Sequence, residues 1–172
     1  MNTQPPPVGL QWEIKRSFLA YVARSPDGRA GVSDGATATP QNEVLFPLDA
    51  ESHPPVRGPS TFLAFRGAIT FTAHFGMLFV RIADPWVTIQ DTLGKLTVTD
   101  EAARAGGQRI QLATFTVADH AITDGFERWS AADVQLASEG SEVFNDVYQV
   151  GEALEPFTII VPAPSVSPAV SL

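Results

Sequence analysis

The spacing of apolar residues changes after residue 25, and this change constrains the fold more than any other feature of the sequence. Before it, Leu10, Ile14, Phe18 and Tyr21 recur at intervals of four, four and three, which places them on one face of a helix. This spacing predicts a helix from residue 10 to about residue 24. The run Ser25-Pro26-Asp27-Gly28 should end it, because proline disfavours helical geometry in the residue before it and Asp-Gly favours a turn.

Beyond this turn, short apolar runs alternate with turn residues, which is typical of β-strands. Within one run, Ile69, Phe71 and Ala73 fall on one face while polar residues fall on the other. We therefore expect a mainly β protein, an antiparallel β-sandwich with the N-terminal α-helix and one further short helix at 124–132. The predicted strands lie near 43–48, 61–73, 77–82, 86–90, 95–99, 109–117, 133–138 and 156–161.

The chain has 172 residues, about the length of one domain. Residues 1–8 include three prolines and are expected to form a flexible lead-in to a domain spanning 9–161. Residues 162–172 contain three prolines, three serines and no charge, so we expect a flexible tail. The first residues lack the apolar run of a secretory signal. If Met1 is the native start, this predicts a cytoplasmic protein; if a signal was removed, an exported or cell-surface protein.

Charge and composition argue against several classes of partner. Eleven Lys and Arg against nineteen Asp and Glu give a net charge of −8, which repels nucleic acid and anionic lipid. No stretch of about 18 apolar residues is present, so we expect no membrane insertion. The chain has no cysteine, which excludes disulfides, thiolate catalysis, iron–sulfur ligation and covalent haem attachment.

Few residues are candidates for chemistry. The sequence has no G-x-S-x-G or H-E-x-x-H motif. The histidines, His53, His74 and His120, lack the close spacing that preorganises a metal site, and we expect His53 and His120 to be solvated. Tyr21 on the helix and His74 at a strand end before Gly76 remain. From the residues alone, Tyr21 is a core residue or a ligand, and His74 is a hydrogen-bonded strand-end histidine or a site residue.

A family resemblance is carried by several blocks that occur in order between about residues 9 and 161. The segment 10–21, with Trp12, Lys15, Ser17-Phe18 and Tyr21, resembles the first helix of the HtaA-type haem-binding domain. The other blocks that resemble this family are Ser33–Ala36, Gly67–Leu78, Ile82–Ile89, Glu139–Phe144 and Tyr148–Pro156.

The resemblance implies a β-sandwich that holds ferric haem b, with Tyr21 as the iron ligand and His74 hydrogen-bonded to it. A phenolate is a hard anionic donor suited to Fe(III), but free tyrosine has a pKa near ~10, so a partner that stabilises the deprotonated oxygen is needed. Ser17 either meets a haem propionate or remains a surface hydroxyl. The candidates for apolar walls of the haem site are Phe18, Phe71, Phe75 and Met77.

Three functions remain open. The first is a binding module that holds ferric haem through Tyr21 and passes it to a transfer partner, as a monomer or a homodimer. The second is an enzyme on the same scaffold, acting on another apolar small molecule with Tyr21 and His74 as an acid–base pair. The sequence Ala73-His74-Phe75-Gly76 keeps this reading open, since the family commonly has Gly-His-His-Gly or similar there. The third is a structural or interaction domain with a filled core.

Overall fold

The computed structural model describes residues 4–52, 60–101 and 106–164. Within them, β-strands predominate and every strand pair is antiparallel. Helix α1 spans Arg16–Arg24 and helix α2 spans Ser138–Val143. The strands are β1 Gly9–Trp12, β2 Arg29–Ser33, β3 Thr37–Ala38, β4 Val44–Phe46, β5 Thr61–Ala64, β6 Ala68–Ala73, β7 Leu78–Ala83, β8 Trp86–Gln90, β9 Leu93–Thr99, β10 Arg109–Thr123, β11 Phe126–Leu136 and β12 Phe157–Pro162.

The strands form two sheets that share one core. The larger sheet has the order β3-β4-β1-β12-β11-β10-β9-β8-β5, and the smaller has the order β2-β6-β7. Phe71 and Val80 of the smaller sheet belong to the same buried cluster as Trp12, Leu96 and Phe157 of the larger one. This arrangement confirms the predicted antiparallel β-sandwich.

The helix predicted from residue 10 begins only at Arg16. Leu10 and Trp12 lie on β1, where both are completely buried and the strand pairs with β4 and β12. Ile14 then has a φ of 72°, which a continuous right-handed helix cannot accommodate. The helical spacing of Leu10 and Ile14 was misleading because two neighbouring strands, distant in sequence, cover this segment.

The run predicted as one strand over 61–73 forms two strands in different sheets, β5 in the larger and β6 in the smaller. The break falls at Phe65-Arg66-Gly67, where Gly67 has a φ of 109°. A Cβ on Gly67 would lie 2.5 Å from the backbone nitrogen of Ala36, so glycine permits the close approach at this crossing. On β6 the predicted face of Ile69, Phe71 and Ala73 is buried.

The helix predicted over 124–132 is wrong. Asp124 and Gly125 have φ values of 54° and 82° and form the two-residue turn of the β10–β11 hairpin, with Thr123 paired to Phe126. The second helix is instead α2, which the apolar spacing did not reveal. Strand β2 was also missed, because all five of its residues are exposed and show no alternation.

Helix α1 packs on the smaller sheet through its buried residues Phe18 and Val22. The Phe18 ring stands edge-on to Phe71 of β6, with centroids 5.0 Å apart, and to Phe144 after α2, at 5.3 Å. These contacts fix the rotation of the helix about its axis. Tyr21, one turn further on, therefore lies on the flank of the helix instead of in the core.

Candidate ligand-binding site

A cavity of about 630 Å³ opens between α1, the β6–β7 connection and the segment after α2. Its volume is within the range of about 300–1,000 Å³ usual for small-molecule sites. The wall is mainly apolar, with few polar groups. The lining residues are Ser17, Phe18, Tyr21, His74, Met77, Leu78, Asn145, Val147 and Tyr148.

Two other surface cavities, of about 720 and 750 Å³, are larger. Neither is lined by a histidine or a tyrosine, and the larger lies over β8–β11. The cavity beside α1 stands apart by its chemistry, because it brings two phenols and an imidazole together within an apolar wall. We therefore take it as the candidate site.

A hydrogen bond joins the hydroxyl of Tyr21 to Nε2 of His74 across 53 residues of sequence. The ring centroids are 5.6 Å apart and the rings are tilted by 55°. The Tyr21 side chain is 43% exposed, so a ligand in the cavity can reach its oxygen. The Nε2 atom accepts this hydrogen bond when it carries no proton and donates it when it does.

His74 lies in a tight turn, His74–Gly76, that connects β6 to β7. His74 and Phe75 have φ values of 53° and 56°, in the left-handed region that residues other than glycine rarely adopt. The carboxylate of Asp27 accepts hydrogen bonds from the backbone N–H groups of both residues, at 3.0 and 2.5 Å. These bonds, above all the one from Phe75, hold the pKa of Asp27 below its usual value.

The second phenol of the cavity, Tyr148, is held differently. Burial, followed by the negative charge of Glu152, raises the pKa of Tyr148, and a hydrogen bond with Ser17 opposes this only partly. Its ring packs edge-on to Phe18 and Phe144, with Nζ of Lys15 5.0 Å from the ring centroid. Tyr148 is therefore a neutral hydroxyl in the wall, whereas Tyr21 has an imidazole partner.

The structure brings five of the seven predicted site residues to this cavity: Ser17, Phe18, Tyr21, His74 and Met77. Phe71 lies behind Phe18, is almost fully buried and lines a separate cavity of about 480 Å³. Phe75 is 97% exposed at the tip of the β6–β7 turn and does not line the cavity.

Sequence reasoning missed the contributions of Asp27, Asn145, Val147 and Tyr148. The spacing from residue 10 to residue 24 contains no sign that the segment after α2 packs against α1. Asp27 was interpreted only as part of a helix-ending turn. The sequence feature that could have identified Tyr148 as a site residue is its position in the block Tyr148–Pro156, which resembles the family.

The other histidines lie elsewhere. His120 is on β10, where its ring stacks on Trp129 with centroids 4.7 Å apart and its Nε2 lies 2.7 Å from Oε1 of Glu127, so it is paired and not merely solvated. His53 lies outside the described residues.

Among those that are described, no three His, Asp or Glu side chains gather to hold a metal ion. No helix in the same part of the chain has the length and apolar character needed to cross a membrane.

Comparison with known families and structures gives a consistent result. The family model of HtaA matches residues 8–160. The C-terminal domain of HtaA from Corynebacterium glutamicum superposes with a TM-score of 0.67 at 25% identity, covering 87% of this chain and 92% of that domain. The N-terminal domain of the same protein gives a TM-score of 0.69 at 20% identity, covering 90% and 96%.

A third structure, the haem-binding protein HtaB from the same organism, gives a TM-score of 0.65 at 20% identity, with 88% and 90% covered. A variant of the C-terminal HtaA domain forms a domain-swapped dimer, which matches with a TM-score of 0.63 at 22% identity and covers 85% and 90%. The comparison with curated proteins found no match.

Proposed function

This chain belongs to the HtaA family, and we propose that it binds ferric haem b in the cavity beside α1, with Tyr21 as the iron ligand. The observation that carries the proposal is the hydrogen bond between the exposed Tyr21 hydroxyl and His74 at the mouth of an apolar cavity. The name of the similar protein HtaB supports the choice of haem as the ligand.

The donor set of the cavity fits this cofactor. An iron porphyrin needs one strong axial donor and an apolar surface for its faces, and tyrosine is among the residues that hold haem iron in proteins. Tyr21 supplies the oxygen, while Phe18, Met77 and Val147 supply apolar surface. Met77 and Val147 are 86% and 65% exposed, an unfavourable arrangement that a flat apolar ligand would relieve.

The residues of the chain divide the work between them. Bound haem would supply a Lewis-acidic iron, and the Tyr21 oxygen is the group that would hold it. His74 would hold the Tyr21 hydroxyl through its Nε2 and so orient the phenol oxygen towards the metal. Tyr148, kept protonated by burial, acts as a hydroxyl donor together with Ser17 and does not compete for the metal.

A tyrosinate site suits holding and transfer of haem better than redox turnover. A hard anionic oxygen favours Fe(III), so reduction or protonation weakens the bond and releases the cargo. We therefore propose that the protein passes haem to a partner. The domain-swapped dimer of a similar domain supports a homodimer as one form in which it acts.

The test is a titration with hemin, followed by absorption spectroscopy, of the unmodified protein and four variants. We expect a ferric, phenolate-type spectrum for the unmodified protein, and loss of that spectrum for Tyr21→Phe. The same spectral type should persist in Tyr148→Phe, since its hydroxyl is not the ligand. His74→Ala should bind more weakly, whereas His120→Ala, which removes an imidazole paired with Glu127, should match the parent.

Two results would contradict the assignment. If Tyr21→Phe gives the parent spectrum and affinity, Tyr21 is not the ligand. If the unmodified protein does not bind hemin, the enzyme interpretation is favoured, because the Tyr21–His74 hydrogen bond is also the arrangement of an acid–base pair. Transfer is tested separately by mixing the hemin-loaded protein with apomyoglobin and following the spectrum of the acceptor.

A further inference from the structure

We infer that Asp27 is the positioning residue of the Tyr21–His74 pair, and that it acts by clamping the backbone of the His74–Phe75 turn. For its consequence on haem binding, the inference rests on the function proposed above. Its structural part, the placement of His74 by Asp27, stands independently of any ligand.

The first step concerns the conformation of the turn. His74 and Phe75 are consecutive residues with positive φ, and neither is glycine. Local sterics disfavour this conformation, and Phe75 is too exposed for packing to enforce it. The N–H groups of these two residues instead converge on one carboxylate, that of Asp27. Successive N–H groups in such turns form a concave site for an anion, which the carboxylate fills.

The second step concerns how Asp27 itself is held. Ser25 donates to the carbonyl of Tyr21 through both its backbone N–H, at 3.2 Å, and its Oγ, at 3.0 Å. Gly28 then donates to the carbonyl of Ser25, at 3.0 Å. A Cβ on Gly28 would lie 1.8 Å from the carbonyl oxygen of Val22, so the turn is pressed against the end of the helix.

These contacts form a closed ring. It runs from the backbone of Tyr21 through Ser25 to the turn that carries Asp27, from Asp27 to the backbone of His74, and from Nε2 of His74 back to the hydroxyl of Tyr21. The helix that carries the phenol is thereby followed directly by the turn whose carboxylate places the imidazole. The two partners of the pair are thus set relative to one another from the same helix end.

Charge and geometry explain why this position needs an aspartate. A carboxylate accepts both N–H groups, whereas the asparagine amide accepts one and turns its own NH₂ group towards the other. The substitution Asp27→Asn keeps the size of the side chain but leaves one N–H of the turn facing a donor. We expect the turn to open and His74 to lose its fixed distance to Tyr21.

The experiment compares the ligand-free protein with Asp27→Asn and with Asp124→Asn. The control residue also has positive φ, but it lies in the β10–β11 turn away from the site. In Asp27→Asn we expect the amide hydrogens of His74 and Phe75 to exchange at least about tenfold faster, and the nuclear Overhauser contact between the Tyr21 and His74 rings to weaken. Asp124→Asn should change neither. Unchanged exchange and an unchanged ring contact in Asp27→Asn would overturn the inference.

A rescue variant separates positioning from a general structural role. Glycine adopts positive φ freely, so Phe75→Gly added to Asp27→Asn should restore much of the ring contact without the carboxylate. If Asp27→Asn alone does not fold, the double variant is measured in its place. Failure of the double variant to fold or to restore the contact would refute a local positioning role.

A hemin titration tests the part of the inference that depends on the proposed function, namely the effect of Asp27 on haem binding. Asp27→Asn should bind hemin about tenfold more weakly than the parent while keeping a phenolate-type spectrum, since Tyr21 is still present. If the unmodified protein does not bind hemin, the proposed function fails, but the exchange and ring-contact measurements still decide the role of Asp27. Parent-like hemin affinity combined with a loosened turn would show that the placement of His74 has no role in binding.

Discussion

Tyr21 and Tyr148 line the same cavity, yet the hydroxyl of Tyr21 is bonded to the imidazole of His74, while the ring of Tyr148 packs edge-on to Phe18 and Phe144. They are the only tyrosines of the chain. Two phenols with different surroundings therefore line one cavity, and each can be observed alone after substitution of the other.

The first prediction concerns Tyr148 in alkaline solution. In ligand-free Tyr21→Phe, the remaining phenol should ionise above the ordinary pKa of 10.0, because burial disfavours its anion. Since the folded-state pKa is the higher one, the stability that the neutral phenol contributes is complete below about pH 10 and is lost as pH rises through the folded pKa. Phenolate absorbance measures the ionisation, and the same variant in denaturant should titrate near 10. Equal midpoints in the folded and unfolded states would contradict this prediction.

The second prediction concerns the exposed ring of Phe75. Asparagine tolerates positive φ better than phenylalanine, so Phe75→Asn should raise the unfolding free energy of the ligand-free protein by about 0.5–1 kcal/mol. If the ring contacts the bound ligand, hemin affinity should fall in the same variant. Urea denaturation and hemin titration measure the two effects. The control Phe79→Asn changes a half-exposed phenylalanine on β7 and should give no gain in stability. A loss of stability in Phe75→Asn would show that the turn is not strained by this residue.

The third prediction concerns acid. The hydrogen bonds from Phe75 and His74 lower the pKa of Asp27 from 3.8. A lowered folded-state pKa means that the stability contributed by the carboxylate is present above about pH 4 and disappears as pH falls through the lower, folded value. The stability difference between the parent and Asp27→Asn should therefore be constant near neutral pH and shrink towards zero below pH 3.8. Urea denaturation at several pH values tests this, and a difference that persists at the lowest pH would count against it.

The fourth prediction concerns the core under the larger sheet. A Cβ on Gly94 would lie 2.1 Å from the ring of Phe115, its partner on the neighbouring strand β10. The Phe115 ring therefore occupies the space that a side chain at position 94 would need. Gly94→Ala should lower the unfolding free energy by about 1–3 kcal/mol, because the buried ring has little room to move. Gly31→Ala on β2 is the matched control, since a Cβ there meets nothing within 4 Å. Equal stabilities of the two variants would show that Phe115 moves aside freely.

The amino-acid sequence alone determined the class of fold, and it singled out the two residues on which the proposed site rests. The alternation of Ile69, Phe71 and Ala73 predicted a strand with one buried face, and that face is buried. Such patterns can be read locally because a strand exposes its two faces every second residue. The order of the family-like blocks pointed to Tyr21 and His74, which the structure joins by a hydrogen bond.

Tertiary structure decided the conformation of segments whose local apolar spacing was misleading, and it decided which distant residues contact each other. Leu10 and Ile14 have helical spacing. Leu10 nevertheless lies on strand β1, because its backbone pairs with β4 and β12, and Ile14 lies before the first residue of helix α1. Asp27 resembled a simple turn residue until folding placed two backbone N–H groups, 47 and 48 residues away, against its carboxylate. A side chain's local spacing specifies which face it occupies, whereas its hydrogen-bond partners depend on how distant segments pack, and that packing is a property of the whole chain.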